Sequence, residues 1–137
     1  MLQPKKTKYR KEMRGKMGGI ATVNSTITFG EYGLKSTESG WVKSREIEAA
    51  RRAITGSIKR KGKVWIKIFP HKSYTKKGVN SKMIAGKGDV EGYVAVVRPG
   101  TMLFEISGVE REAAMEAMRL GAQKLSVLTK FVSKKDI

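Results

Sequence analysis

Cysteine is absent from the chain, and histidine occurs once, at His71. Disulfides and thiolate metal sites are excluded, and a multi-histidine metal site cannot be built. Acid is scarce too: 12 Asp/Glu stand against 29 Lys/Arg, a formal net charge of +17. Glu46, Glu48, Glu110 and Glu112 fall in the first turns of predicted helices, where they favour the helix dipole. No spacing among the remaining acids singles out a catalytic carboxylate pair. His71 has no acid or nucleophile near it in sequence and reads as a surface donor. Gly86-Lys87-Gly88 lacks the spacing of a P-loop. The expectation is a protein that is not an enzyme and uses no cofactor or metal. No apolar run approaches the roughly 18 residues of a membrane span, and the N-terminal residues lack an apolar signal region. A cytoplasmic location is expected.

What the chain has in excess is positive charge with a core beneath it. With 137 residues and 39% hydrophobic content, one packed domain is expected. A charge this far from zero describes a partner rather than a fold. Nucleic acid is the first candidate. An anionic membrane is the weaker one, because no large apolar face opposes the charge. Two segments carry most of the excess. Residues 1–26 hold Lys5, Lys6, Lys8, Arg10, Lys11, Arg14 and Lys16 against one Glu, with sparse apolar residues of no period, and read as an arm that orders on a partner. From Ala49 to Gly88 there are twelve Lys/Arg and no Asp or Glu, whereas solvated faces ordinarily mix signs.

Periodicity gives the element order β-β-α-β-loop-β-β-α-β. Ile27–Leu34 alternates as a strand, with glycines that mark a bulge or a close backbone approach. Trp41-Val42 reads as a short second strand. Ser44 is a predicted N-cap, and Ile47, Ala50, Ile54 and Ile58 set a helical stripe that Gly62 ends. Lys63–Phe69 alternates Val64, Ile66 and Ile68 against Trp65, Lys67 and Phe69. Residues 70–92 show no clean period and read as a long basic loop, which is unusual in a compact domain unless functional. Tyr93–Val97 and Thr101–Ile106 flank Pro99-Gly100, a type II turn pair, and are expected to form a hairpin. Glu110–Lys124 is a second helix, whose small residues suit close packing on a sheet, and Leu128–Val132 is a closing strand. The fold class is α+β, two helices packed on a mainly antiparallel sheet. Residues 1–26 form the arm, and 27–137 a single domain carrying the loop over 70–92.

Phosphate binding is the chemistry left. Lysine and arginine contact phosphate oxygens, and a glycine-rich loop lets backbone follow them. Lys59, Arg60, Lys61, Lys63 and Lys67 join the arm as candidates. Tyr9 and Tyr74, outside predicted elements, are candidates to stack on unpaired bases, while Trp65 and Phe69 are expected to pack in the core. On these grounds alone, a general nucleic-acid-coating protein remains the alternative to a specific RNA-binding one.

Five motifs narrow this. Met-Leu-Gln-Pro-Lys-Lys-Thr-Lys-Tyr-Arg-Lys at the start, Phe29-Gly-Glu-Tyr-Gly-Leu34, Arg45-Glu-Ile-Glu-Ala-Ala-Arg-Arg52, Lys63-Val-Trp-Ile-Lys-Ile-Phe-Pro70 and Val109-Glu-Arg-Glu-Ala-Ala114 resemble, in order, the bacterial large-subunit ribosomal protein sixteen family. The resemblance implies a hammerhead-like α+β two-layer sandwich at the base of the central protuberance of the large subunit. It implies large-subunit rRNA and neighbouring ribosomal proteins as partners, with no independent homo-oligomer, a role in late subunit assembly, and no bond chemistry. Contact with A-site tRNA is the primary further expectation and P-site tRNA the secondary one. The basic arm would then lie on rRNA. Arg51 and Arg52 match an Arg pair near tRNA, and Lys76, Lys77, Lys82 and Lys87 lie on the loop that reaches toward the catalytic RNA centre. The chain departs from the family pattern in that loop: Gly78 stands for a Pro, Lys82 for an Arg, and Ile84 and Ala85 for a Gly and a Lys. Lysine lacks the planar bidentate fork of arginine. A later Pro of the family is Ser126.

Overall fold

A computed structural model describes residues 25–76 and 89–136, with the backbone alone at 75, 76, 89–91 and 136. The elements in chain order are β1 (Tyr32–Ser36), β2 (Gly40–Lys43), α1 (Ser44–Ser57), β3 (Lys63–Ile66), β4 (Lys72–Lys76), β5 (Asp89–Val97), β6 (Met102–Ser107), α2 (Arg111–Ala122) and β7 (Thr129–Ser133), closed by a short 3-10 turn at Lys134–Asp136. The α+β class holds, and the strand pairings among the described residues are antiparallel. There are two sheets rather than one. Four strands run in the order β3-β6-β1-β7, and three in the order β2-β5-β4.

This division overturns the expected hairpin. The Pro99-Gly100 turn forms, with Gly100 at φ 96° and the Thr101 N–H donating to the Arg98 carbonyl at 3.0 Å. Yet β5 pairs with β2 and β4, while β6 pairs with β1 and β3. The turn hands the chain from one sheet to the other. A type II turn mismatches the twist of a tight hairpin, so the two strands separate and each finds other partners.

The two helices cover one face of the four-stranded sheet, and their stripes close a shared core. Ile47, Ala50 and Ile54 of α1 and Ala114, Ala117 and Met118 of α2 are fully buried, together with Phe104, Ile106 and Leu34 beneath them and Val42 and Val97 of the second sheet. The small residues of α2 serve its crossing with α1 as well as its seat on the sheet. A Cβ at Gly121 would stand 2.6 Å from an Ile54 side-chain carbon, so only glycine permits that approach. Ser126 uses what a proline there could not offer. Its N–H donates to Glu46 Oε2 at 2.8 Å, and its hydroxyl lies 3.2 Å from the Trp41 carbonyl.

Several boundaries move. α1 begins at Ser44, which is buried as its first residue; Lys43 is the N-cap and makes no side-chain capping bond. The helix ends at Ser57 rather than running to Gly62. β3 stops at Ile66, short of Phe69. β4 was not expected, and with the start of β5 it takes both ends of the segment read as irregular. Lys72 pairs with Val94 and Lys76 with Asp89, which leaves 77–88, outside the described residues, between the two strands. Tyr74 accordingly belongs to a strand. Its ring lies 3.1 Å from where a Gly92 Cβ would be, and the Lys43 ammonium sits 5.8 Å from its centroid.

Candidate nucleic-acid interface

The other face of the four-stranded sheet carries the segment that leads into β1. Trp65 on β3, Glu105 on β6, Gly33 on β1 and Val132 on β7 stand in one row across the strands. Residues 27–30 lie against this face. Ile27 is buried with Met102 and Val132, and Phe29 stacks on Trp65 with centroids 5.9 Å apart. Three successive backbone N–H groups point at one carboxylate. Those of Phe29 and Gly30 donate to Glu105 Oε1 at 2.7 and 2.8 Å, and that of Thr28 to Oε2 at 3.1 Å. Glu105 has no solvent exposure, so burial is tolerable only because donors replace its hydration. Lys67 completes the arrangement, its Nζ 3.7 Å from Glu105 Oε2 and 4.4 Å from the Phe29 ring centroid. A Cβ at Gly30 would stand 2.8 Å from the Ile106 carbonyl, so the segment can lie this close only with glycine there.

The second part of the surface is the turn from α1 to β3. The Lys59 N–H donates to the Gly56 carbonyl at 3.2 Å and the Arg60 N–H to the Thr55 carbonyl at 3.1 Å. These are the two bonds of a Schellman cap, with Lys59 at the left-handed position that glycine usually takes. Lys59 has φ 53° and Arg60 φ 62°. Gly62 follows at φ 73° and faces Gly108 at φ 80°; a Cβ on Gly62 would stand 2.3 Å from the Ser107 carbonyl. This glycine pair clamps the turn onto the end of β6. Lys59, Arg60, Lys61 and Lys63 are all exposed along it.

The third part is the outer face of α1. Arg51 donates to Glu48 through Nη2 at 2.6 Å and Nε at 3.3 Å, and Arg52 Nε reaches the same carboxylate at 3.3 Å. The hydrogen bond from Arg51 is the main cause that holds the Glu48 carboxyl below the usual carboxylate range; attraction to both arginines adds to it and partial burial opposes it. The same bond raises the Arg51 guanidinium. The Arg52 side chain is 75% exposed, that of Arg51 39%. Because folding lowers the Glu48 value, its contribution to stability is present above the unfolded carboxylate pKa of about 4.3 and is lost as pH falls through the folded value. Glu48→Gln is therefore expected to cost about 0.5 kcal/mol at pH 7, and less at high salt. Urea unfolding should show that gap narrow as pH falls below the unfolded carboxylate range; a gap that stays constant into acid would remove the carboxylate from the account.

The candidates from sequence thus divide. Arg51, Arg52, Lys59, Arg60, Lys61 and Lys63 cluster on α1 and the turn after it. Lys67 stands apart, 15% exposed and turned onto a buried carboxylate. Lys76 is described only as backbone, in β4. Lys5, Lys6, Lys8, Arg10, Lys11, Arg14 and Lys16, with Tyr9, lie outside the described residues, as do Lys77, Lys82 and Lys87. Phe69 is 46% exposed, not in the core, because the strand ends before it. His71 is exposed, with Nδ1 3.2 Å from the Phe69 carbonyl. Glu105 and Glu48 were missed as organisers of the surface. A lone carboxylate inside Met102-Leu-Phe-Glu-Ile106 was the available signal, since an apolar strand buries a charge only where donors meet it. Glu48 stands three and four residues before the arginine pair, the spacing of helical ion pairs.

The family profile described as ribosomal protein L16p/L10e matches residues 4–132. This chain belongs to that family. It is also 54% identical over 137 residues to the large ribosomal subunit protein uL16 of Staphylococcus haemolyticus, a match covering 100% of this chain and 95% of that protein. A member of the L16p/L10e family is a structural constituent of the ribosome and not an enzyme. The surface fits that role: cations line the α1 turn, Glu48 pairs with Arg51 and Arg52 on the helix before it, and the buried Glu105 holds backbone N–H groups. No helix among the described residues is long and apolar enough to cross a membrane.

Proposed function

We propose that the protein is a structural component of the large ribosomal subunit, bound to large-subunit rRNA and placed to help position A-site tRNA, with P-site tRNA as a secondary contact. The observation that carries the reading is the match to a large-subunit relative along the whole chain, on a chain whose cationic turn carries no acid from Lys59 to Lys63. In this reading the fold is the hammerhead-type sandwich of that family. Residues 1–26 extend as the basic arm onto rRNA, rooted by Glu105. The segment 77–88 faces the catalytic RNA centre with Lys77, Lys82 and Lys87, and neighbouring ribosomal proteins complete the setting in the cytoplasm. The mechanism is electrostatic clamping. Lysine and arginine neutralise phosphates, and the folded core fixes where they stand. The expected result is sedimentation with the large subunit in a sucrose gradient at physiological salt. Protein running free of ribosomes there would reject the reading, and equal affinity for duplex DNA and folded rRNA would replace it with a general nucleic-acid coat.

A further inference from the structure

Among the described residues, three clefts by the α1 turn and the helix layer differ in their chemistry. One of about 840 Å³ beside α2 and β7 is mainly apolar, with Glu112, Glu116 and Arg119 among its lining residues. The second, about 540 Å³, sets Lys59 and Lys61 against Glu31 and Glu110. The third, about 340 Å³, lies between the C-terminal half of α1 and the start of β3. Its polar lining residues are Arg51, Thr55, Arg60 and Lys63, and no acid lines it; the Lys63 ammonium itself lies 5.3 Å from the Trp65 ring centroid. No ion pair among the described residues engages Arg60 or Lys63. Glu48 orients Arg51 from outside the cleft through Nε and one terminal nitrogen, which leaves other donors of a five-donor fork for a ligand. At roughly 30 Å³ per water, the cleft holds a phosphodiester group and several waters.

The backbone supplies an independent observation. Arg60 occupies φ 62°, a conformation glycine adopts without cost and other L-residues adopt at a cost. The turn is held there by the Thr55 carbonyl on one side and the Gly62–Gly108 contact on the other. The strain places a guanidinium on the rim of an acid-free cleft. A glycine would make the same turn without that cost and would take the Arg60 charge off the rim. We infer that this cleft is a preformed seat for a backbone phosphate of RNA, with Arg60 and Arg51 as forked donors and the Thr55 hydroxyl as a further donor. The seat rests on the proposed RNA-binding role and makes it specific: Arg51 acts with the turn after its helix, while the more exposed Arg52 remains outside the cleft.

The test uses the full chain, labelled with nitrogen-15, and inorganic phosphate as the probe. Amide shifts at Thr55, Arg60, Gly62 and Lys63 are expected to saturate together, ahead of those of other basic residues. Arg60→Gly is expected to raise Tm by about 2–4 °C and to weaken that phosphate binding by about tenfold. Arg60→Lys should fall between the two, because it keeps the charge and loses the fork. Shifts spread evenly over exposed lysines and arginines would overturn the seat, as would unchanged phosphate binding in Arg60→Gly. A lowered Tm would overturn the claim that stability is given up for the ligand. Local saturation in a protein that does not sediment with the large subunit would reject the ribosomal reading and leave the seat standing.

Discussion

Glu105→Ala is expected to lower folding stability by about 3–5 kcal/mol, read by urea or thermal unfolding. The size follows from what the side chain does. It is completely buried in β6 and accepts the N–H groups of Thr28, Phe29 and Gly30. Removing it deprives three backbone donors of their acceptor and takes a carboxylate from the largely buried Lys67. An orphaned buried donor costs about 1–3 kcal/mol, which water entry partly relieves. The packing of Ile27 and the stacking of Phe29 on Trp65 depend on the same pins, so the whole 27–30 segment is expected to leave the sheet. Trp65 fluorescence should report this. Glu105→Gln keeps the shape and one acceptor oxygen, so it should cost clearly less than alanine. Glu31 gives the contrast: the hydrogen bond its carboxylate accepts from the Gly108 N–H is exposed and 3.4 Å long, and replacing that side chain should cost under about 0.5 kcal/mol. A loss below about 1 kcal/mol for Glu105→Ala would mean that the segment is held by its apolar contacts and that the carboxylate is incidental.

That example also marks where the sequence was readable. Both helices were visible in their stripes, since Ile47, Ala50 and Ile54 repeat at the helical period and all are buried. The glycines of Ile27–Leu34 signalled a bulge or a close approach, and Gly30 makes the approach against Ile106; the register of β1 on β6 shifts between Leu34 and Lys35, at neither glycine. What could not be seen was pairing between distant segments. β4 reads Lys-Ser-Tyr-Thr-Lys, with no apolar alternation, and is a strand because β5 pairs along it. β5 and β6 looked like a hairpin because they are adjacent, although the turn chemistry between them argued against it. The site was legible as charge and illegible as geometry. Composition marked Lys59 to Lys63 as basic, but not that Lys59 and Arg60 are left-handed. Lys67 counted equally with its neighbours in sequence, yet a carboxylate 38 residues further along the chain, Glu105, draws it inward.

The division of labour proposed for the cations has the largest expected effect on binding. Residues 1–16 carry seven Lys/Arg and one Glu. Each phosphate neutralised contributes about 0.7–0.9 to the slope of log affinity against log salt. Deleting the segment should flatten that slope by about 5–6 if every cation is used, and weaken rRNA binding more than about a hundredfold at low salt. Assembly of the large subunit should suffer accordingly. Arg51→Ala with Arg52→Ala removes two charges that already share one carboxylate, Glu48, so its slope change should not exceed about 2. Its effect should fall on tRNA instead, with about tenfold weaker A-site binding to subunits that still assemble. Arg52→Ala alone should keep most of the tRNA defect, because Arg52 is the more exposed of the pair and does not line the cleft that Arg51 shares with Arg60 and Lys63. Subunit yield from gradients and A-site tRNA binding to purified ribosomes separate the two cases. Equal losses of both from the deletion and from the arginine pair would show that arm and helix act as one surface, and the assignment of one to assembly and the other to tRNA would fall.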